Sequence, residues 1–502
     1  MGAPGRRLTI AVLTGIVLAG LLPRAWRLTV PGLTSDEAFS WRLAGYPTRE
    51  MLARAAQDVH PPLYYLALQG WLALAGDGPA ALRALSMLVG LLVVPLAFAL
   101  VREAERLDAG DRGPAAALLA AAMFAIHATQ VLQSRNARMY ALGTVLAAGS
   151  AWLVLRAHRA TTRRWLWWTL WGLAAAAATG THYYLAFTVA TQAIWAIRVA
   201  PTRGRLQDLL LASLVALATF APWAPVLWRQ ARQVQAAYWI PPVGLSSLVD
   251  GIARWALGID AGHAAALTAI LVAASLVAAA RAGRAGRFFA AQAAAPWVMG
   301  LVVSVITGRP IVLERYMLFA QVFLLCAWAV TATGISPRAL RTGAAVAGLL
   351  ILAAGLAVTL RRVPADPPAL AVAARALRRQ AEAGDLVVVE SPRVLNKLRY
   401  YARQQGADNV RIRAALPERI PLSPYVSHVV SLTDDDAVAA DAVFTAGADT
   451  VWIGRESTSP PAPAPAGWTV TFARVFEGGE DTRFTLARYQ RAEAAPPASA
   501  AR

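Results

Sequence analysis

The sequence has little charge, few acidic residues and one cysteine. Only 15% of its 502 residues are charged and 57% are hydrophobic, whereas about a quarter of the residues in a typical soluble domain are charged. This composition argues against a purely soluble protein. The single cysteine, Cys326, lies within an apolar run. Having only one cysteine excludes an intramolecular disulfide bond and argues against a thiol-based active site.

The excess of basic residues does not indicate a nucleic acid partner. The net charge is +19, because 48 lysines and arginines oppose 29 aspartates and glutamates. Most of the arginines separate hydrophobic runs, which is typical of topology signals and of contacts with lipid. The C-terminal part contains no basic tract interleaved with aromatic residues that could stack on bases. We therefore expect membrane lipids, and no nucleic acid, among the partners.

Long apolar runs predict a multi-span α-helical membrane protein. Runs of roughly 18–22 residues, long enough to cross a ~30 Å hydrocarbon core, recur as far as residue 360. The sequence predicts about eleven transmembrane helices, at residues 8–28, 79–101, 114–133, 139–156, 165–181, 182–199, 206–228, 262–281, 288–308, 315–334 and 342–360. The first run has no small-x-small cleavage site behind it, so we interpret it as a retained helix. The helix from Pro61-Pro62 to Leu74 is too short to span, and we expect it at the membrane interface.

The distribution of arginines predicts the orientation. The connections on the N-terminal side carry seventeen arginines, and those on the opposite side carry thirteen before the C-terminal domain. Because short cytoplasmic loops are enriched in arginine, this bias favours a cytoplasmic N-terminus. The membrane domain, residues 1–362, then places its first long loop, residues 29–78, outside together with the C-terminal domain.

A change of composition predicts a C-terminal soluble α/β domain at residues 363–490. Helical patterns at 369–383, 393–405 and 436–446 alternate with strand patterns at 386–389, 410–412, 428–430 and 450–453, and a hairpin is indicated at 468–475 and 482–489. The domain has no Gly-x-Gly-x-x-Gly motif or phosphate loop, so a nucleotide site is not supported. We expect residues 491–502 to be a disordered tail.

The first long loop begins with two acids, Asp36 and Glu37, in the stretch T-S-D-E-A-F-S-W. One interpretation is structural: Thr34 or Ser35 caps a helix, and acids in its first turn favour the positive end of the dipole. The other is catalytic: a carboxylate at the membrane surface serves as general base for an acceptor hydroxyl. The sequence leaves both open.

The same loop continues with Asp58-Val59-His60-Pro61-Pro62. The prolines suit the start of a helix, where a missing N–H costs nothing. That role does not explain an acid and an imidazole two residues apart, which could orient a nucleophile or bind phosphate. A divalent metal is an alternative, but the loop lacks a strong ligand spacing. We therefore assign no cofactor.

Three arginines, Arg83, Arg138 and Arg315, each lie at the outer start of a helix that runs inward. This placement opposes both the helix dipole and the positive-inside bias, so each cation needs an anionic partner. The partner is either an internal acid such as Glu314 or the phosphate of a lipid-linked substrate, which a guanidinium binds in bidentate fashion.

Aromatic residues gather at the same outer level. They are Tyr64, Tyr65, Tyr140, Tyr183 and Tyr184, with His182. An interfacial aromatic belt accounts for such tyrosines. The histidine directly before two tyrosines is more indicative of a substrate contact.

Taken in order, these stretches resemble the bacterial membrane glycosyltransferases of the protein-mannosyltransferase-like group, which have the GT-C fold and use polyprenyl-phosphate sugars. The matching stretches are D-E-A-F-S-W (36–41), D-V-H-P-P-L-Y-Y-L-A-L (58–68), A-L-R-A-L-S (81–86), S-R-N-A-R-M-Y-A-L (134–142), T-H-Y-Y (181–184), A-P-W-A-P (221–225) and E-R-Y-M-L (314–318). The resemblance implies a multi-pass protein of the bacterial cytoplasmic (inner) membrane with an extracytoplasmic active site. It also implies a polyprenyl-phosphate-linked sugar donor and a lipid, polysaccharide or protein acceptor.

The resemblance further implies roles for single residues. Asp36 would be the catalytic base or an acid that orients the acceptor, and Glu37 would position the acceptor. Asp58, the second catalytic candidate, would form the other half of the site with His60. Arg83 and Arg138 would contact the lipid phosphate. The remaining predicted substrate-binding residues are Tyr140, His182, Tyr183 and Arg315.

One stretch departs from the family pattern. The family often has Ser-Gln-Glu-Ala-Arg before Met-Tyr, whereas this chain has Ser134-Arg135-Asn136-Ala137-Arg138. An amide replaces the usual acid and a cation is added. The departure argues against Asn136 as an acid and indicates a different phosphate environment or sugar.

The sequence thus predicts an inverting glycosyltransferase, with a flippase or transporter of lipid-linked glycans as the alternative. Transporters tend to place ionisable residues near the membrane midplane. Here the centres of the predicted spans have almost no acids, and the polar residues gather at one surface. A third class, a non-catalytic receptor with an outer ligand-binding domain, leaves the loop carboxylates unexplained.

Overall fold

The fold was analysed in a computed structural model, which describes residues 3–108, 113–199, 202–236, 242, 244–416, 430, 432–445, 448–457, 461–479 and 483–492. The chain divides into two units. We call residues 1–28 and 47–362 the helical unit, and residues 29–46 and 363–502 the sheet unit. The segment with Asp36 and Glu37 therefore belongs to the same unit as the C-terminal α/β region.

The α-helices of the described ranges are numbered in chain order. They are α1 (Ala3–Ala25), α2 (Ser35–Ala44), α3 (Thr48–Ala55), α4 (Leu63–Ala75), α5 (Pro79–Glu105), α6 (Ala115–Ile126), α7 (Ala128–Ser134), α8 (Tyr140–Arg159), α9 (Arg164–Thr181), α10 (Leu185–Val199), α11 (Arg203–Phe220), α12 (Ala224–Ala236), α13 (Leu245–Leu257), α14 (Ala265–Arg281), α15 (Arg284–Thr307), α16 (Leu318–Gly334), α17 (Arg338–Arg361), α18 (Ala369–Gln380) and α19 (Pro392–Gln404). Helices α2, α18 and α19 belong to the sheet unit, and the others belong to the helical unit.

Seven helical segments are long and apolar enough to cross a membrane, and the bent pair α6–α7 is an eighth. The seven are α1, α5, α8, α11 with α12, α14, α15 and α17. The other three predicted spans are α9, α10 and α16, which have 18, 15 and 17 residues. At ~1.5 Å per residue they measure roughly 27, 22 and 26 Å, short of a ~30 Å hydrocarbon core. The multi-span membrane architecture is confirmed, with seven or eight spans by length and composition where the sequence predicts eleven.

The bend between α6 and α7 measures 61° and follows a break at His127. Arg24, fully buried on α1, supplies hydrogen bonds at this break. Its Nη1 donates to the carbonyl of Ala125 at 2.7 Å, and its Nε donates to the hydroxyl of Ser134 at 3.3 Å. Because no water reaches a broken helix end inside a membrane, the guanidinium replaces the missing helical bonds.

Replacing Arg24 with leucine should destabilise the helical unit. The variant removes the donor from a buried carbonyl and a buried hydroxyl, and a hydrogen bond to a charged group is worth roughly 1.5–3 kcal/mol. We expect a clearly lower melting temperature of the purified protein in detergent. Arg7, exposed on the same helix, is the matched control, and R7L should melt like the parent protein. Equal melting temperatures for R24L and R7L would contradict the role of Arg24.

Helix α16 forms the centre of the helical unit. Twelve of its 17 residues are buried, and it packs against α15, α6, α14 and α8. A helix enclosed by other helices must be apolar on all sides, as this sequence is. Its buried Gln321 accepts a hydrogen bond from Gln130 of α7 at 2.7 Å, so this polar side chain is satisfied. Cys326 is buried on the same helix, away from any reactive position.

The sheet unit contains one six-stranded sheet with strand order β3-β2-β1-β4-β6-β5. The strands are β1 (Leu386–Val389), β2 (Arg411–Leu416), β3 (Ala437–Ala439), β4 (Thr450–Arg455), β5 (Trp468–Glu477) and β6 (Arg483–Arg491). The first four strands in the order are parallel, and β6 and β5 extend the sheet as an antiparallel hairpin. Every residue of β1 is buried, as expected of a central parallel strand with an uninterrupted apolar run.

Most predicted elements of this unit are confirmed. Helices α18 and α19, strands β1, β2 and β4, and the β5–β6 hairpin lie where the sequence predicts them. The predicted helix 436–446 is wrong: its first residues form β3, followed by a 3₁₀ turn at Ala440–Ala442. Alanine favours a helix locally, but pairing of Ala437 with Ala414 of β2 overrides that preference. Most of the predicted strand 428–430 and residues 493–502 of the predicted tail lie outside the described residues.

Candidate active site

The two acids of α2 have different surroundings. Thr34 is the N-cap residue, whose hydroxyl accepts a hydrogen bond from the Glu37 N–H at 3.1 Å, while the Glu37 carboxylate accepts one from the Thr34 N–H at 3.0 Å. This reciprocal capping box leaves Glu37 1% exposed. Asp36, one residue earlier, is exposed. The structural interpretation therefore applies to Glu37, and Asp36 presents the carboxylate that a substrate can reach.

Helix α2 is packed against α19 within the sheet unit. The Leu33 N–H donates to the Tyr401 hydroxyl at 2.7 Å. The ring of Trp41 meets that of Tyr400 edge-on, with 5.2 Å between centroids. These contacts fix the helix that carries Asp36 to the C-terminal part of the chain.

In the helical unit, Asp58 and His60 form a pair directly before α4. The Nδ1 atom of His60 lies 3.0 Å from a carboxylate oxygen of Asp58, whose side chain is fully buried. Pro62 is the N-cap residue of α4, so the prolines begin the helix as predicted. Because the carboxylate holds Nδ1, the opposite ring nitrogen of His60 is the one available to a ligand.

His182 lies in the connection between α9 and α10, surrounded by aromatic rings. Its ring centroid is 6.1 Å from those of His60 and Tyr140 and 5.0 Å from that of Phe319 on α16. Tyr316 lies at 5.3 Å from the same ring. The fold thus brings residues from three distant stretches of sequence to one imidazole.

The imidazole of His182 is neutral. Burial, followed by electrostatic interaction with the neighbouring His60, Arg138 and Arg315, holds the pKa of His182 well below its ordinary value. Its Nδ1 accepts a hydrogen bond from the Tyr184 N–H at 3.3 Å, which assigns the proton to Nε2. Nε2 is buried and has no hydrogen-bond partner among the described residues. A neutral N–H donor therefore points into the cluster without a protein acceptor.

Tyr183 is held from two sides. The indole N–H of Trp223 donates to its hydroxyl at 2.9 Å, and the hydroxyl donates to the side chain of Gln230. Burial raises the pKa of Tyr183 above its ordinary value, the bond from Trp223 acts against this, and the charge of Asp58 adds to it. Tyr183 therefore stays protonated and serves as an anchored wall of the cluster.

Arg138 lies between α7 and α8 and is 3% exposed. Its guanidinium contacts the Tyr65 hydroxyl at 3.4 Å. Its carbonyl accepts a hydrogen bond from the Ser86 hydroxyl at 3.3 Å, and Ser86 contacts the Tyr64 hydroxyl at 3.1 Å. These contacts connect α4 and α5 to the segment before α8, so two tyrosines assigned to a membrane belt help to hold an arginine.

Arg83 lies one helical turn before Ser86 on α5 and is 3% exposed. Its guanidinium donates to the carbonyl of Leu28 at 2.8 Å. Arg135, the cation that departs from the family pattern, donates to the carbonyl of Pro23 at 3.1 Å. Burial and then the charge of Arg83 lower the pKa of Arg135 to about 10, so it remains charged at neutral pH. The added cation thus binds backbone of the N-terminal segment.

Arg315 lies in a 3₁₀ turn, Glu314–Tyr316, before α16. Its guanidinium lies 5.2 Å from the ring of Tyr316, which in turn contacts His182 and Tyr184. Glu314, considered above as an internal partner of the site arginines, forms an ion pair with Arg254 at 3.4 Å.

The structure brings most of the predicted site residues of the helical unit to one place. Asp58, His60, Arg138, Tyr140, His182, Tyr183 and Arg315 surround the α9–α10 connection. We call these seven residues the His182 cluster. The contacts of Arg83 lead to Leu28 and Arg135 instead. Asp36 and Glu37 lie in the sheet unit. In the described part of the chain, no three His, Cys, Asp or Glu side chains come together as a metal site would require.

Four residues that contact the predicted site residues were not themselves predicted: Ser86, Trp223, Gln230 and Tyr316. Two of them had a signal in the sequence, because Tyr316 follows Arg315 directly and Ser86 lies one helical turn from Arg83. Trp223 belongs to the A-P-W-A-P stretch of the family resemblance, whereas Gln230 became recognisable only when the fold placed it beside Tyr183.

Comparisons with known proteins show which family model and which folds the chain resembles. Residues 59–228 match the family described as dolichyl-phosphate-mannose-protein mannosyltransferase. No curated protein matches the chain by sequence. Among solved structures, ArnT from Cupriavidus metallidurans in the apo state is 13% identical, with a TM-score of 0.63, and the similarity covers 97% of this chain and 98% of that chain.

Two further structures share the fold. ArnT from the same organism bound to undecaprenyl phosphate is 14% identical, with a TM-score of 0.60 and 97% and 98% coverage of the two chains. The mycobacterial arabinofuranosyltransferase AftD is 17% identical, with a TM-score of 0.54, over 97% of this chain and 42% of that chain. These similarities confirm the predicted GT-C architecture and the family resemblance read from the motifs.

Proposed function

We propose a reaction for this chain, which is a membrane glycosyltransferase with the GT-C fold. Its residues 59–228 match the dolichyl-phosphate-mannose-protein mannosyltransferase family. It transfers one sugar from a polyprenyl-phosphate donor to a hydroxyl group of an acceptor, with inversion at the anomeric carbon. The observation that carries the proposal is the His182 cluster, which joins cations, an acid–imidazole pair and aromatic rings. The similarity to ArnT bound to undecaprenyl phosphate supports a donor of this kind.

In the proposed reaction, the acceptor oxygen attacks the anomeric carbon and forms the new glycosidic bond. The bond from that carbon to the phosphate oxygen breaks, and its electron pair leaves with the polyprenyl phosphate. The proton of the acceptor hydroxyl passes to the carboxylate of Asp36. Attack from the face opposite the phosphate inverts the configuration. A positioned base contributes roughly 10²–10⁴-fold to such a step.

Arg83, Arg138 and Arg315 stabilise the charge that develops on the leaving phosphate. Arg83 and Arg138 are each only 3% exposed, so little water screens their charge. Guanidinium groups bind phosphate oxygens in pairs, and preorganised charges of this kind supply several kcal/mol to a transition state. We expect this contribution to exceed that of the base.

The remaining residues hold the substrates in position. The Nε2–H of His182 donates to an oxygen of the donor, and Asp58 orients His60 toward the same group. Tyr140 and Tyr183 form the wall of the donor site. Glu37 acts on the acceptor indirectly, because its capping box fixes the first turn of α2, where Asp36 lies.

The reaction takes place at the outer face of a bacterial cytoplasmic membrane. The arginine bias of seventeen against thirteen supports this orientation. The acceptor is a lipid, a polysaccharide or a protein, each of which is accessible at that face.

The purified full-length protein tests the proposal when it is incubated with a panel of polyprenyl phosphates that carry different sugars, together with lipid, polysaccharide and peptide acceptors. We expect consumption of one lipid-linked sugar. The anomeric carbon of the product should have the opposite configuration to that of the donor, as the NMR signal of its proton will show. Consumption of nucleotide sugars alone would refute the donor class, and a retained configuration would refute inversion.

A further inference from the structure

A cavity of about 480 Å³ opens in the sheet unit between α2, the second half of α19 and β2. Its volume falls within the roughly 300–1,000 Å³ of small-molecule sites. Four arginines and three aspartates line it, together with Trp41 and several apolar side chains. The reaction described above uses none of these residues.

Some of the charged side chains that line the cavity form ion pairs that stabilise the fold. Asp436 forms ion pairs with Arg399 at 2.6 Å and with Arg42 at 3.4 Å, and accepts a hydrogen bond from the Thr433 N–H at 2.8 Å. Burial tends to raise the pKa of Asp436, but the Thr433 bond and the two arginines outweigh it, so the pKa lies below the ordinary value. Arg399 and Asp436 thus neutralise each other within the lining of the cavity.

The other charged side chains of the lining differ in their surroundings, and the Arg411 Nε donates to the carbonyl of Gly384 at 3.0 Å. Arg413, on β2, is half-buried, and in the ranges that the structure describes its side chain forms no hydrogen bond or ion pair. Arg403, at the end of α19, is exposed, as are Asp408 and Asp435. A half-buried guanidinium favours an anionic partner, since burial without one is costly.

We propose that this cavity binds a saccharide that carries one anionic group, a carboxylate or a phosphate. Arg413 and Arg403 would bind the anionic group, which suits guanidinium geometry. Asp408 and Asp435 would accept hydrogen bonds from hydroxyl groups, and the edge of Trp41 would contact the apolar face of the ring. The near balance of arginines and aspartates favours a single negative charge over a polyanion.

The site deepens the proposed function, on which its link to catalysis rests. Trp41 follows Asp36 by five residues on α2, which is roughly 7.5 Å along the helix axis. An acceptor anchored in the cavity would extend along the helix that carries the proposed base. The acceptor class is then a charged glycan, attached to a lipid or to a polysaccharide, rather than a protein.

The test measures binding to the full-length protein in nanodiscs of neutral lipid, by saturation-transfer NMR titration without any donor. The probes are glucuronate, glucose 6-phosphate, methyl glucoside and inorganic phosphate. We expect glucuronate and glucose 6-phosphate to bind, and Arg413→Ala and Arg403→Ala each to weaken them by about tenfold. Arg474, exposed on β5 at the opposite edge of the sheet, supplies the control R474A, which should bind like the parent protein.

Several results would overturn the site. One is that glucuronate and glucose 6-phosphate bind the parent, R413A and R403A proteins with equal affinity. Another is that methyl glucoside binds as tightly as these two anions. A third is that inorganic phosphate binds as tightly as glucose 6-phosphate. Melting temperatures show whether each variant is folded, and R403A tests the site even if R413A is not. Because the titration needs no turnover, lost binding with intact sugar transfer refutes only this site, whereas intact binding without sugar transfer refutes only the proposed function.

Discussion

Replacing Asp36 with asparagine should lower the turnover number by roughly 10²–10⁴-fold, the contribution of a positioned general base. Asparagine has nearly the same shape but cannot accept the proton of the acceptor hydroxyl. Asp36 is exposed and asparagine keeps nearly the same shape, so we expect a small loss of stability, of which the lost helix-dipole interaction accounts for about 0.5 kcal/mol. Turnover is measured with saturating donor and acceptor on protein whose melting temperature has been checked.

Glu37 provides the matched comparison, because it lies next to Asp36 on the same helical turn. Its carboxylate accepts the Thr34 N–H in the capping box, so Glu37→Ala, which removes this acceptor, should lower the melting temperature more than D36N does. Its turnover per folded molecule should fall by less than that of D36N. Unchanged turnover in a correctly inserted D36N protein would show that Asp36 is not the base.

Arg138→Ala should lower kcat/KM for the donor by roughly 10²–10³-fold, which is typical of removing one preorganised donor from a developing negative charge. Arg138 is 3% exposed and its guanidinium is held by the Tyr65 hydroxyl. Its position is therefore fixed before the substrate binds, and no reorganisation is required during the reaction. Initial rates at varied concentrations of polyprenyl-phosphate sugar give this constant.

Arg138→Lys separates charge from geometry. Lysine keeps the positive charge but cannot bind two phosphate oxygens with a planar group, so its kcat/KM should lie between those of the parent and of R138A. Arg232, exposed on α12, is the control, and R232A should react like the parent protein. An unchanged apparent donor affinity in R138A would rule out phosphate binding by this residue.

The sequence predicted the elements that depend on local patterns. Apolar length identified the helices of the membrane domain, and Pro61-Pro62 marked the start of α4. The uninterrupted Leu-Val-Val-Val run at 386–389 identified the central strand of the sheet. Composition and periodicity suffice for such elements because burial of apolar surface decides them.

Other features depend on contacts that are distant in sequence. The sequence left a capping role open for both Asp36 and Glu37, and only the capping geometry of Thr34 separated their surroundings. The importance of His182 arises from rings contributed by the α4 region, α8 and α16. The number of spanning helices also differed, since helix ends in a packed bundle are set by neighbours as well as by hydropathy.

The packing of α2 on α19 has a consequence for how this protein can be shortened or recombined. A chain ending at Arg362 would still contain Asp36, but α2 would lose its partners Tyr400 and Tyr401. Exchange of the C-terminal region between relatives would meet the same obstacle unless residues 29–46 were exchanged with it. Two stretches more than 300 residues apart in the chain should therefore be inherited as one module.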